Sequence, residues 1–307
     1  MGRLADFLIV GAAKSGTTSL HYYLGQHPYI EMSKPKELKF LSWYAGIRGF
    51  NGPNGPGDKK CTESRVVKSY DDYLNIFSAE SKDVLCGESS TDNLYFHIEV
   101  IPLIKKIIGE PKIIIILRNP VDRAFSAYTH LVREGRENET FERALELEDE
   151  RIKKGYSFIW HYKNVGFYYE QVKDYLENFS DVKVCLYDDL RKDPIKLVQD
   201  IFGFLGVDDN FVPANIGEKY NVSGVPKSKS LHRFLRTDNA VMAMFLPIIG
   251  TVFPKRTRDI IKNRIRQANL KRMEMKPETR MCLKEVYRDD ILKLQNLIKR
   301  DLSHWLK

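Results

Sequence analysis

Short apolar runs recur along the chain, separated by longer segments of helical periodicity. Runs at 7–10, 84–86, 113–117 and 182–187 read as buried strands. Segments 17–26, 70–77, 97–108, 121–132, 141–154, 166–178 and 195–205 read as helices. Strands alternating with helices predict an α/β fold with a central parallel sheet flanked by helices. Gly, Pro and Asn make 46–60 a loop, and 212–230 reads the same way. From 255 to the end the pattern is helical and basic, broken at Pro277. No linker divides the chain, so residues 1–307 are expected to form one domain, with a helical extension over about 231–307 packed on it.

Charge changes this picture only at the C-terminal end. The net charge is +8. Residues 231–307 hold 18 Lys and Arg against 8 Asp and Glu, so the basic excess belongs to that quarter. A basic surface attracts nucleic acid, anionic lipid or acidic substrates, and it is also a common solvated helix face. The stretch "FLPIIGTVFPKRTRDIIKNRIRQ" (245–267) suits an anionic membrane surface. It suits helix packing or a lid over an acceptor equally, and that reading is preferred; nucleic acid is not expected as a partner. No apolar run reaches the roughly 18 residues of a spanning helix. Met1 to Asp6 leads straight into the first strand without a signal-peptide pattern. Cys61, Cys86, Cys185 and Cys282 show no C-x-x-C spacing, so buried free thiols in a reducing, cytoplasmic setting are expected.

The candidate chemistry begins at 7–20, "FLIVGAAKSGTTSL". A strand, a turn bracketed by Gly11 and Gly16, and a helix starting at Thr17 form a P-loop-like unit whose backbone N–H groups converge on an anion. The nucleotide-binding form of this loop is G-x-x-x-x-G-K-[ST]. Here Thr17 stands at the lysine position, Lys14 lies inside the loop, and Thr18 adds a second hydroxyl. The second segment is 113–128, "IIIILRNPVDRAFSAY". In many ATP-using proteins of this architecture the corresponding strand ends in a Mg²⁺-binding Asp; this one ends in Arg118. Two signatures of Mg-nucleotide chemistry are therefore missing together, which argues against a P-loop kinase or NTPase. Arg118 at the strand end and Ser126 about two turns into the next helix are spaced to reach one second phosphate. Arg123 between them reads as a surface ion pair.

Together, "GAAKSGTT" and "LRNPVDRAFSAY" resemble the cofactor segments of sulfotransferases that use 3′-phosphoadenosine 5′-phosphosulfate (PAPS). "LYDDLRKDP" (186–194), "SGVPKSKSL" (223–231) and "YRDDILKLQNLIKRDLSHW" (287–305) extend the resemblance along the chain, toward bacterial enzymes similar to the heparan-sulfate and N-deacetylase/sulfotransferase branch. The resemblance implies that Lys14, Ser15, Gly16, Thr17 and Thr18 hold the 5′-phosphosulfate. It implies that Arg118 and Ser126 hold the 3′-phosphate, with Lys227 and Ser228 closing over it. Adenosine 3′,5′-bisphosphate would be the product, no metal would be needed, and Lys14 would meet the oxygen bridging sulfur and phosphate. The sulfonate would pass by in-line displacement to a hydroxyl or amine, on a saccharide by first expectation, with a lipid or secondary metabolite as alternatives. Glu37 in "SKPKELKFL" (33–41) matches the branch's catalytic base ahead of an aromatic pair, although the second aromatic is Leu41 here. His97, His130 and His161 are the rival bases. Ser89 in "GESSTDNLYF" (87–96) replaces a Lys of the glycan-sulfating enzymes, which weakens the inference about the acceptor.

Overall fold

The computed structural model describes residues 2–47, 66–79, 81–214, 216, 225–226, 270–271 and 273–307. Strands β1 (Phe7–Gly11), β2 (Ile30–Met32), β3 (Leu85–Glu88), β4 (Lys112–Leu117) and β5 (Val182–Leu186) form one parallel sheet. Its order is β2-β3-β1-β4-β5, with β1 at the centre. A two-residue antiparallel pair, β6 (Val225–Pro226) and β7 (Leu270–Lys271), stands apart from it. The described helices are α1 (Thr17–Leu24), α2 (Phe40–Tyr44), α3 (Tyr70–Leu74), α4 (His97–Ile107), α5 (Pro120–Arg133), α6 (Phe141–Glu146), α7 (Glu148–Lys153), α8 (Tyr168–Asn178), α9 (Tyr187–Lys192), α10 (Pro194–Leu205) and α11 (Pro277–Ile298).

The central strands are apolar throughout because both faces of the sheet are covered. Leu8, Val10, Ile113, Ile115 and Leu117 enter one core with residues of α4, α5, α8 and α11. Phe7, Ile9, Ile114 and Ile116 enter the other, under Leu20, Tyr23 and Leu24 of α1 and Leu197, Val198, Ile201, Phe202 and Leu205 of α10. The split follows the two-residue period of a strand. Each wholly buried Ile of β4 contributes about 1.5–3 kcal/mol by leaving water.

The parallel α/β fold matches the expectation, and the differences are local. Strand β2 and helices α2 and α9 were not foreseen. The expected helix over 141–154 is two helices meeting at Leu147. At this break Glu148 turns inward and accepts from the N–H groups of Lys163 (2.7 Å) and Asn164 (2.8 Å). Pro277 opens α11, where its missing N–H costs nothing. Leu283, Tyr287, Ile291 and Leu294 of α11 are buried, and Asp290 accepts from Tyr168 N–H (2.9 Å) at the start of α8. Cys86 and Cys185 are buried, with burial pushing their thiols up to about 11 and about 12; Cys282 is exposed. Cys61, the basic stretch 245–267 and most of the loops 46–60 and 212–230 lie outside the described residues. No described helix is long and apolar enough to cross a membrane.

Candidate functional site

The loop after β1 sits at the carboxyl edge of the central strand, where open α/β sheets bind ligands. Gly16 occupies the N-cap of α1 at φ 94°, a left-handed conformation that favours glycine. A Cβ there would lie 2.7 Å from Leu190 Cδ2 and 2.9 Å from Tyr187 Cδ2, so the tight turn has no room for one. No side chain caps α1 and no acid lies in its first turn. The N–H groups at its start are thus left for an anionic ligand. Ser15 is wholly buried near the Tyr168 hydroxyl, and its Oγ makes no well-formed hydrogen bond among the described residues. Thr17 is buried, with its Oγ1 3.5 Å from Lys36 Nζ, and Thr18 is half-buried. Lys14 stands at φ 70° within the loop. Burial pushes its ammonium down to about 8, helped by the charges of Arg133 and Arg118 and opposed by Glu37. A lysine pressed by two arginines is a site that gains from an incoming anion.

The second segment meets the first directly. Arg118, just beyond β4, donates from Nη1 to the Lys14 carbonyl (3.1 Å) and lies over the Tyr187 ring, 4.9 Å from its centre. Tyr187 therefore packs against both Gly16 and Arg118. Asn119 caps α5 by accepting from Val121 N–H (3.0 Å) and donates to the Trp305 carbonyl (3.2 Å). Trp305 in turn donates to Asp188 (2.9 Å), so the C-terminal tail braces the strand end that carries Arg118. Ser126 is 8% exposed on α5. Lys227 and Ser228 lie outside the described residues. Arg123 is not a surface residue. It is wholly buried, donates to the Tyr162 carbonyl, and leaves Nε and Nη1 without hydrogen-bond partners among the described residues. Pro120, Ser126 and Ala127, three and four residues away on the same face of the helix, are buried with it.

Glu37 lies on the loop between β2 and α2, its side chain 38% exposed. Lys36 Nζ donates to its Oε1 (3.1 Å), and Thr91 Oγ1 approaches the same oxygen (3.4 Å). Burial alone would raise its pKa, but Lys36, Lys39 and Lys14 together hold it below the usual carboxylate range. Lys36 Nζ, 3.5 Å from Thr17 Oγ1 and 3.1 Å from Glu37 Oε1, links the start of α1 to the candidate base.

The rival histidines separate by their partners. His97 Nδ1 pairs with Asp174 Oδ2 (2.5 Å). His161 uses both ring nitrogens, toward Tyr95 Oη (3.0 Å) and the Tyr156 carbonyl (3.1 Å), and burial pushes it down to about 4. His130 Nδ1 meets Arg133 Nη2 at 2.9 Å. His21, which sequence reasoning passed over, is the histidine coupled to Lys36 and Glu37; burial, then Lys36, pushes it down to about 4. Its position one turn after Thr17, on the helix that follows the loop, was the available signal. Ser89 is wholly buried and its hydroxyl has no hydrogen-bond partner among the described residues. No group of three or more His, Cys, Asp or Glu among the described residues is placed to hold a metal ion.

A loop lysine, an uncapped helix start and a strand-end arginine joined to that loop thus lie together at the carboxyl edge of the sheet. The sulfotransferase domain profile matches residues 4–219. The chain belongs to the sulfotransferase domain family. Among sulfotransferases of known structure it is similar to one from Alicyclobacillus acidocaldarius, at 33% identity and a TM-score of 0.74, over 99% of this chain and 100% of that one. It is 31% identical over 211 residues to bifunctional heparan sulfate N-deacetylase/N-sulfotransferase 2 of Bos taurus, covering 67% of this chain. The Homo sapiens protein of that name is 30% identical over the same length. The chain spans about a fifth of the length of these curated relatives.

Proposed function

We propose that the protein transfers a sulfonate from PAPS to an amine or hydroxyl of a saccharide. The observation that carries this reading is the Arg118–Lys14 link, which joins the loop suited to a 5′-phosphosulfate to the segment suited to a 3′-phosphate. The uncapped start of α1 and the depressed Lys14 fit an anionic nucleotide. PAPS supplies an activated sulfonate on its 5′-phosphate. Lys14, Ser15, Gly16, Thr17 and Thr18 hold that end; Arg118 and Ser126, with Lys227 and Ser228, hold the 3′-phosphate. Glu37 takes the acceptor's proton as the acceptor atom bonds to sulfur. The bond from sulfur to the bridging oxygen breaks in line, and Lys14 offsets the charge left on that oxygen. The saccharide acceptor is supported by the heparan sulfate named in the relatives and by Lys36 and Lys39 beside Glu37.

The reading requires that adenosine 3′,5′-bisphosphate stabilise the fold without metal. At about 100 times its dissociation constant the ligand should add about 2.7 kcal/mol, read as a thermal shift in EDTA. A shift with Mg-ATP and none with the bisphosphate would refute it.

A further inference from the structure

The segment leaving β3 is polar and yet buried. Glu88, Ser89, Ser90, Thr91 and Asp92 are each at most 4% exposed. Burying five consecutive polar side chains is unfavourable unless their hydrogen bonds are arranged for a purpose the fold needs. Ser89 makes no side-chain hydrogen bond among the described residues, and the bonds of the other four lead to one place. Glu88 accepts from Tyr73 Oη (2.9 Å) on one oxygen and from Ser90 Oγ (2.5 Å) on the other. With its proton committed to Glu88, the Ser90 hydroxyl accepts from the Lys39 N–H (3.0 Å). Asp92 accepts from Ser42 Oγ (2.7 Å), which also lies 3.1 Å from the Lys39 carbonyl. Thr91 reaches the Glu37 carboxylate itself.

Lys39 is the residue that needs holding. It stands at φ 52°, a left-handed conformation unfavourable for a side chain of its kind, and it caps α2 without a side-chain bond. The reversal there sends Phe40 and Leu41 into the core, while Lys36 and Glu37 stay beside Thr17 and Lys14. If Lys39 relaxed to an ordinary conformation, the loop two residues upstream would swing.

We propose that Ser90, fixed by Glu88, is a positioning residue that holds the Lys39 reversal and so aims Glu37 at the acceptor. This rests on Glu37 being the base. Ser90 touches neither nucleotide nor acceptor in this scheme and acts only through the loop.

The test is a double-mutant cycle of Ser90→Ala and Glu37→Gln. Sulfonate transfer from PAPS to an N-unsubstituted heparan-type glycan is the rate measured, and calorimetry gives bisphosphate affinity. Alone, Ser90→Ala should lower kcat about 10- to 100-fold, the effect of a slightly misplaced group, with bisphosphate affinity unchanged. In the Glu37→Gln background it should cost nothing further, because there is no carboxylate left to aim. An equal loss in both backgrounds, or no loss in the first, overturns the positioning role and leaves the base assignment standing. A wild-type rate for Glu37→Gln alone overturns both. Should Ser90→Ala fail to bind the bisphosphate, Ser90→Cys replaces it, since the thiol keeps the shape but bonds weakly; the same pattern is required of it.

Discussion

Replacing Glu37 by Gln is expected to slow sulfonate transfer by about 10²–10⁴-fold while leaving bisphosphate affinity nearly unchanged. The substitution keeps the shape of the side chain and its contacts with Lys36 and Thr91. It removes the only feature the acceptor requires, an oxygen able to take its proton. The pH profile carries the same signature. Lysines around Glu37 hold its pKa below the usual carboxylate range, so the base stays charged through mildly acid conditions and the acid limb lies low. The alkaline limb comes from Lys14, whose ammonium is depressed to about 8 in the free protein. Above that pH it loses the proton with which it meets the phosphosulfate, and kcat/KM for PAPS should fall. Transfer by Glu37→Gln at near wild-type rate, with His130→Ala inactive, would move the base to the histidine.

The second large effect concerns recognition of the 3′-phosphate. Arg118→Ala should weaken adenosine 3′,5′-bisphosphate by about 2 kcal/mol or more, some 30-fold upward, the cost of losing a charge-assisted contact. Adenosine 5′-monophosphate should lose much less. Its residual loss would report the bond from Arg118 to the Lys14 carbonyl, which shapes the 5′ side of the site. Paired calorimetric titrations decide this, and an equal loss for both nucleotides would place Arg118 on the 5′ side only.

The features that were legible in the sequence share a physical cause. Strands β1 and β4 are central and covered on both faces, so their apolar runs are continuous and unmistakable. The loop between Gly11 and Gly16 was legible because its turn holds Gly16 in a left-handed conformation with no room for a Cβ. Strand β2 was not, because it is three residues long with Glu31 at its middle, and that carboxylate is used to bind Ser78 and Ala79 N–H groups. Helix α9 was hidden by its brevity and by two successive acids, which serve its first turn. Arg123 was misread because a helical arginine is most often solvated, whereas here Pro120, Ser126 and Ala127 on its face are buried with it. The 88–92 segment was opaque for a similar reason. A run of Glu, Ser, Thr and Asp reads as a surface loop, and only the tertiary structure turns it beneath the loop bearing Glu37.

The central claim is that this family member moves sulfonate without a metal. Labelled PAPS and an N-unsubstituted heparan-type glycan, incubated with the protein in EDTA, test it most directly. The account predicts label on the glycan and release of adenosine 3′,5′-bisphosphate in equal amounts. No transfer to the glycan or to a panel of hydroxyl and amine acceptors, together with Mg²⁺-dependent turnover of ATP, would contradict it.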